Sequence, residues 1–288
     1  MRAFKTIGIV CKRDDSRLVS TVRRLIDHLS TKGCEVLVDD IGGQLLGIVG
    51  VPLETFAQRV DLAIVVGGDG TLLHAGRFMA NHEIPVLGVN LGRLGFLVDI
   101  SPEDVEMILE QVLAGKYYEE KRTLLKASVF RGEQCLGEND ALNDVVIHVR
   151  NEVRMIEFTT HINDAFVNTQ RADGMVVATP TGSTAYSLSG GGPILHPDLD
   201  AVVLVPICPH TLSHRPIAIS ADNKIKISLC DQRNSEARVS FDGQSHIDIT
   251  PGDHLVIQQK QKNLCLLHPE NYDYYHILRT KLRWSMQP

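Results

Sequence analysis

A glycine-rich turn that contains one carboxylate follows an apolar segment early in the chain. Residues 62–66 are continuously apolar and largely β-branched, and Gly67-Gly68-Asp69-Gly70 follows directly. This pattern predicts a buried strand that ends in a turn, with a helix after it. Glycines at such a junction let backbone N–H groups approach a phosphate closely, and the helix N-terminus adds positive potential.

Asp69 is unusual in a turn that only cradles phosphate, because its carboxylate repels the ligand. Its presence suggests that it accepts a proton from an attacking hydroxyl or contacts phosphate through a cation. The alternative is a tight turn with a capping Asp. A P-loop is excluded, since the pattern GxxxxGK[ST] is absent from the sequence.

A second segment is rich in hydroxyl groups and glycines. It runs from Thr179 to Tyr186 with the sequence TPTGSTAY, and continues through Ser187 to Pro193. Many small donors on a flexible backbone suit a polyphosphate or sugar-rich ligand. A polar loop between two strands is the alternative interpretation.

The composition excludes several classes of function. The 288 residues carry a net charge of −6 and include no basic run, so we expect no nucleic-acid partner. No stretch approaches the roughly 18 apolar residues of a membrane helix, and the first residues predict a strand, not a signal peptide. The six cysteines show no metal-ligand or disulfide spacing, which predicts reduced thiols in a cytoplasmic protein.

Two regions of the chain differ in hydrophobic periodicity. The first hundred residues alternate predicted strands at 7–11, 34–38, 62–66 and 86–89 with predicted helices, including one that starts at Ser101-Pro102. This alternation predicts an α/β domain with a Rossmann-like, open parallel sheet. From about residue 120, short strand-like segments separated by turns such as Asn163-Asp164 and Asp242-Gly243 predict a mostly antiparallel β-sandwich.

We therefore predict two domains. The first comprises residues 1–119 together with the tail 272–288, whose helical pattern predicts a C-terminal helix packed back on this domain. The second is the β-rich domain of residues 120–271.

Taken together, the motifs resemble the NAD kinase family over almost the whole chain. GGDG alone is shared with phosphofructokinases and with diacylglycerol and sphingosine kinases, whereas the TPTGSTAY segment is far more specific. The matching segments are Gly67–Gly70, Gly88–Phe96, Asn143-Asp144, Arg171–Gly174, Thr179–Tyr186, Gly191–Pro193 and Asp242–Gln244.

The resemblance implies a role for each matching position. Asp69 is the expected general base toward the 2′-hydroxyl of the adenosine ribose of NAD, with Gly70 at the same ligand. Asn143 and Asp144 are expected to hydrogen-bond the ribose and adenosine, although many relatives carry Glu where Asp144 stands. The other positions expected to contact the nucleotide are Phe96, Arg171, Asp173, Thr181, Thr184, Ala185, Tyr186, Ser187, Leu188, Ser189 and Gln244.

Several of these positions have simpler explanations. Phe96 is equally well an ordinary core aromatic after a glycine turn. His74, one turn beyond the GGDG segment, faces either phosphate or solvent on a helix surface. Arg154 lies in a segment that can approach the ligand, but a solvated charge is the better explanation for it.

The function implied is transfer of the terminal phosphate of ATP, or of another phosphoryl donor, to the 2′-hydroxyl of the adenosine ribose of NAD. No histidine shows metal-ligand spacing, so we expect no dedicated metal site, and Mg²⁺ or a similar cation bound through the triphosphate. The family further implies a homo-oligomer, either dimer or tetramer. The alternatives are another GGDG-type kinase acting on a lipid or sugar phosphate, and a non-catalytic dinucleotide sensor.

Overall fold

A computed structural model of the chain describes residues 4–13, 15–92, 94–150, 155–211, 213–230 and 236–284. The described residues divide into two compact units. The first unit contains the chain up to Lys121 and the segment from Leu264 onward, and the second contains Arg122–Asn263.

The first 122 residues alternate strands and helices, as the periodicity predicts. Apolar runs form most of these strands, and stripes of apolar residues at helical spacing form the longer helices. The elements are β1 (Thr6–Cys11), α1 (Leu18–Thr31), β2 (Glu35–Val38), α2 (Asp40–Leu46), α3 (Leu53–Phe56), β3 (Leu62–Gly67), α4 (Asp69–Asn81), β4 (Val86–Asn90), α5 (Val105–Leu113) and β5 (Tyr118–Arg122).

The middle of the chain is built almost entirely of strands. A 3-10 turn at Thr181–Thr184 and the short helix α6 (Tyr186–Ser189) interrupt them. The strands are β6 (Leu125–Arg131), β7 (Gln134–Ala141), β8 (Asp144–Val149), β9 (Ile156–Ile162), β10 (Ala165–Ala172), β11 (Gly174–Ala178), β12 (Ala201–Ile207), β13 (Ile217–Ser220), β14 (Ile225–Leu229), β15 (Ala237–Phe241), β16 (Ser245–Ile249) and β17 (Asp253–Gln259).

The chain then returns to the first unit through β18 (Leu264–His268) and α7 (Tyr274–Leu282). The first unit has one sheet in the order β2-β1-β3-β4-β18-β5, in which β1, β2, β3, β4 and β18 run parallel. Apolar stripes of α1 and α5 share a buried core with these strands. The predicted parallel α/β architecture is confirmed.

The second unit has two antiparallel sheets that share one core. Their orders are β10-β9-β14-β17-β6-β7 and β13-β12-β11-β8-β15-β16. Inward-facing residues of both sheets, such as Phe158 and Phe241, belong to a single buried cluster. The predicted β-sandwich is therefore confirmed. Asn163 and Asp164 have positive φ values of 48° and 64°, as a type I′ hairpin turn requires.

Two details of the sequence-based interpretation need correction. The helix expected from Ser101 begins at Val105, because residues 102–104 form a turn in which the Ser101 hydroxyl accepts the N–H of Asp104 at 3.2 Å. The return to the first unit also begins earlier than residue 272. Apolar residues of β18 pair with β4, so this strand belongs to the first sheet.

Candidate active site

The GGDG turn lies at the carboxyl edge of the parallel sheet. The strand β3 ends at Gly67 and α4 begins at Asp69, so the turn is a strand-to-helix junction as predicted. Ligands of open parallel sheets bind at this edge. The carboxylate of Asp69 occupies the first turn of α4, where the helix dipole favours negative charge.

The carboxylate of Asp69 holds the loop that follows β4. Its Oδ2 accepts the N–H of Phe96 at 2.9 Å, and its Oδ1 accepts those of Leu97 at 3.0 Å and Val98 at 3.2 Å. A Cβ at Gly95 would lie 2.1 Å from Oδ1 of Asp69, so the loop can come this close to the carboxylate only with glycine at position 95. Three of the roughly four acceptor sites of a carboxylate are therefore used, and one site on Oδ2 remains.

The remaining predicted residues of the first unit surround this junction. Gly70 is exposed, and His74 is exposed on α4 with its ring 5.6 Å from that of Phe78. Phe96 is half-buried and is not part of the core, and Lys281 of α7 lies over its ring at 5.5 Å from the centroid. Lys281 covers one face of the Phe96 ring, and the residue remains partly exposed. Phe96 is therefore not the ordinary core aromatic of the alternative interpretation.

The Asn143-Asp144 pair is held by a carboxylate in the same way. Asp242 follows β15 in a turn with φ of 51°. Its Oδ2 accepts the N–H of Leu142 at 3.0 Å, and its Oδ1 accepts those of Asn143 at 2.8 Å and Asp144 at 3.2 Å. Sequence analysis placed Asp242 in a turn and in a segment that matches the family, but assigned no role to its side chain. Its role depends on contacts about a hundred residues away, which no local pattern indicates.

Asp144 lies in an unusual electrostatic environment. Its carboxyl is buried, and burial together with the charge of Asp242 raises its pKa to about 7. The protonation state of Asp144 therefore changes near neutral pH, and a buried carboxyl with a pKa raised this far is typical of functional sites.

The hydroxyl-rich segment is attached to this pair. The Thr179 hydroxyl donates to the carbonyl of Leu142 at 2.6 Å, and its oxygen accepts the N–H of Gly182 at 3.1 Å. A Cβ at Gly182 would lie 2.0 Å from the Asn143 carbonyl oxygen, so the close contact requires glycine. Thr181 accepts from Arg122 at 3.3 Å.

The residues of this segment differ in exposure. Tyr186 and Ser189 are exposed, whereas Thr184, Ala185 and Leu188 are half-buried. Thr181 and Ser187 are buried, so their side chains pack beneath the exposed surface of the segment. Gln244 is exposed in the turn that contains Asp242. That turn follows β15, whose pairing with β8 places it at the end of the sheet where Asp144 and Thr179 lie.

Arg171 and Asp173 lie elsewhere in this unit. They precede β11, whereas Thr179 follows it, and at about 3.3 Å per residue the two ends are roughly 20 Å apart. The side chain of Arg171 is 58% exposed, and its Nε lies 4.0 Å from Oε2 of Glu157. The structure thus brings together Asn143, Asp144 and the 179–189 segment but places Arg171 and Asp173 away from them. Arg154 lies outside the described residues.

The described ranges contain no group of three or more His, Cys, Asp or Glu side chains positioned to hold a metal ion. Nor does any helix within them have the length and apolarity needed to cross a membrane.

Comparisons with known proteins agree with these features. Residues 7–117 match the ATP-NAD kinase N-terminal domain family, and residues 142–268 match the ATP-NAD kinase C-terminal domain family. An NAD kinase from Teredinibacter turnerae is 46% identical over 99% of this chain and 98% of its own length. One from Pseudomonas putida is 47% identical over 99% of this chain and 97% of its own length.

Solved structures of two further relatives share the fold. A yeast NADH kinase complexed with NADH superposes with a TM-score of 0.91, at 26% identity over 100% of this chain and 90% of its own. An Archaeoglobus fulgidus NAD kinase complexed with ATP gives a TM-score of 0.75, at 26% identity over 96% and 98%. With both domains matched and close relatives aligned over nearly the full length, this chain belongs to the NAD kinase family of phosphotransferases.

Proposed function

We propose that this chain transfers the terminal phosphate of ATP to the 2′-hydroxyl of the adenosine ribose of NAD, with Asp69 as the general base. The observation that carries the assignment of Asp69 is its geometry. Three backbone N–H groups fix the carboxylate at a strand-to-helix junction, and one acceptor site remains on Oδ2. A sugar hydroxyl is a weak nucleophile, so a fixed acceptor for its proton lowers the barrier.

The step balances as follows. The 2′-oxygen forms a bond to the γ-phosphorus while its proton passes to Asp69, and the bond from that phosphorus to the β,γ-bridging oxygen breaks. The products are NADP and ADP, and Asp69 then releases its proton to water. A divalent cation such as Mg²⁺, carried by the triphosphate, would neutralise charge on the phosphates.

Two glycines of the turn support a phosphate ligand at this position. A Cβ at Gly68 or at Gly70 would meet no protein atom within 4 Å, and neither residue has a left-handed φ. Internal packing therefore does not explain these glycines. A phosphate that approaches the backbone at the N-terminus of α4 does explain them.

In the second unit, we propose that Asn143 and Asp144 bind the adenosine part of NAD, and that Thr181 and residues 184–189 complete the nucleotide subsites. Asp242, Thr179 and Gly182 position these groups by the contacts described above. Gln244 adds a side-chain contact from the same turn as Asp242.

The position of Arg171 and Asp173 supports a homo-oligomeric enzyme. Arg171 and Asp173 lie at the opposite end of β11 from Thr179. One nucleotide site within this unit therefore does not include both this pair and the 179–189 segment. A second copy of the chain would supply this pair to the first copy's nucleotide. Light scattering, which measures mass in solution, tests whether the chain forms an oligomer. Kinetics of an Arg171→Ala variant test the role of Arg171, and we expect its KM for NAD to rise.

Location in the cytoplasm is supported by the thiols. All six cysteines are free. Free thiols are typical of a reducing compartment.

The experiment that tests the activity combines the purified chain with NAD, ATP and Mg²⁺ and measures NADP through a dehydrogenase that reduces it. We expect product only when all three components are present. Binding of NAD without product would support the non-catalytic sensor and contradict the proposal. Parallel assays with sugar and lipid acceptors should give no ADP.

A further inference from the structure

A cavity of about 220 Å³ opens between the two sheets of the second unit, at the edge formed by β10 and β13. We call it the edge cavity. It is lined by residues of β9 to β13 and by the segment that leads into β13. These are Thr160, Val167, Asn168, Gln170, Met175, Leu204, Pro206, Ser213, His214, Arg215 and Ile217.

One wall of the edge cavity presents polar atoms that have no protein partner. The Gln170 side chain is 2% exposed, and neither its Nε2 nor its Oε1 makes a hydrogen bond. The same is true of the Thr160 hydroxyl, on a residue 1% exposed, and of the Asn168 Oδ1. Burying such groups unpaired destabilises a fold, so a molecule inside the cavity must satisfy them.

The opposite wall is apolar. Met175, Leu204 and Ile217 come from the facing sheet and offer no hydrogen bonds through their side chains. The cavity also exceeds the roughly 10–15 Å³ that a single water needs by more than tenfold. Waters that lie against this apolar wall have no hydrogen-bond partner on that side, and a ligand with an apolar face displaces such waters favourably.

The polar wall defines the chemistry of that ligand. The Gln170 carboxamide offers a donor and an acceptor side by side, which matches the donor–acceptor edge of an amide or lactam. Thr160 and Asn168 add a hydroxyl and a second amide oxygen. His214 and Arg215 lie at the cavity as well, and its described lining includes no Asp or Glu, so the site also tolerates a negatively charged substituent.

We propose that the edge cavity binds a small planar heterocycle with an amide edge, of the size class of a free nucleobase or nicotinamide. The flat ring lies against Met175, Leu204 and Ile217, and the amide edge pairs with Gln170. This site is separate from the proposed catalytic machinery. Neighbouring residues of a strand face opposite sides, so Gln170 points into the sandwich while Arg171 points to solvent.

The test uses uracil and nicotinamide as probes, with binding to the full chain measured by ligand-observed NMR in the presence of saturating NADP. Replacing Gln170 with Met keeps the side-chain length and removes both hydrogen-bonding groups. We expect Gln170→Met to weaken binding at least about tenfold. Gln134→Met, at an exposed position of β7, is the matched control and should bind as wild type does. The two probes show which heterocycle is preferred.

Several outcomes overturn the proposal. They are no binding of either probe, equal binding by wild type and Gln170→Met, and loss of binding when NADP is added. If Gln170→Met unfolds, Thr160→Val replaces it, with the same expected loss of binding. Phosphoryl transfer is assayed separately on each variant and should stay at the wild-type level, so failure here leaves the proposed kinase activity untouched.

Discussion

The two candidate ligand regions are built around the same device, a carboxylate that accepts three consecutive backbone N–H groups. Asp69 takes those of Phe96, Leu97 and Val98, and Asp242 takes those of Leu142, Asn143 and Asp144. In both cases Oδ2 accepts the first N–H and Oδ1 accepts the next two.

The difference lies in which residue then meets the ligand. In the first unit the proposed catalytic group is the anchoring carboxylate itself, at the start of α4. In the second unit the anchor is Asp242, whereas Asn143 and Asp144 are the residues that it positions. Substituting the first anchor should therefore affect the chemical step, and substituting the second should affect binding.

The largest expected effect is on turnover by Asp69→Asn. We expect kcat to fall by about 10²–10⁴, the usual contribution of a general base, with the affinity for NAD retained. Steady-state kinetics and calorimetric titration with NAD measure the two quantities. Because Asn keeps one carbonyl acceptor for the loop, the thermal midpoint serves as the control for folding. Turnover near that of wild type would remove Asp69 from the catalytic step.

The second prediction concerns Asp242→Asn. Loss of the charged acceptor should lower the free energy of unfolding by about 1.5–3 kcal/mol and raise the KM for NAD at least about fivefold. The value of kcat at saturating NAD should change far less than in Asp69→Asn. Chemical denaturation and kinetics test this. A variant whose main defect is in kcat would break the distinction between the two anchors.

The third prediction follows from the raised pKa of Asp144. Since burial favours its neutral form, its contribution to stability is complete below about pH 4 and is lost as the pH rises through about 7. Ionised Asp144 is the better acceptor for a ribose hydroxyl, so the KM for NAD should fall through the same range. Asp144→Asn should flatten both profiles and unfold at a higher temperature than wild type at about pH 8. An unchanged KM profile in this variant would refute the assignment.

The smallest effect is expected from a buried histidine of the first unit. His268 contacts Asp99 at 2.8 Å and Glu120 at 3.2 Å. Burial opposes its charge, but these two carboxylates outweigh burial and raise its pKa. Its stabilising contribution is therefore complete below its ordinary pKa of about 6.5 and is lost as the pH rises through the higher folded value. The thermal midpoint of wild type should fall between about pH 6 and about pH 9, and that of His268→Gln should fall less.

Local patterns account for much of the fold. Apolar runs located β1, β3 and β4, and the dipeptides Asn163-Asp164 and Asp242-Gly243 marked hairpin turns whose residues have positive φ. Elements without such patterns were missed. The helix α2 contains Gly42 and Gly43, which are poor helix formers, and the edge strand β7 is polar along most of its length.

The site was predictable in part, for a different physical reason. Motifs indicated Asp69 and Asn143-Asp144, but the contacts that fix them join residues 27–29 and 98–100 positions apart. Only the folded chain brings these groups together. The same holds for the raised pKa of Asp144, which arises from burial and from Asp242.

The most direct test of the central claim is a crystal structure of the complex with NAD. We predict that the 2′-hydroxyl oxygen of the adenosine ribose lies within about 2.6–3.2 Å of Oδ2 of Asp69, at the acceptor site that the loop leaves open. A ribose bound with its 2′-hydroxyl beyond the reach of this carboxylate, with no water between them, would contradict the account.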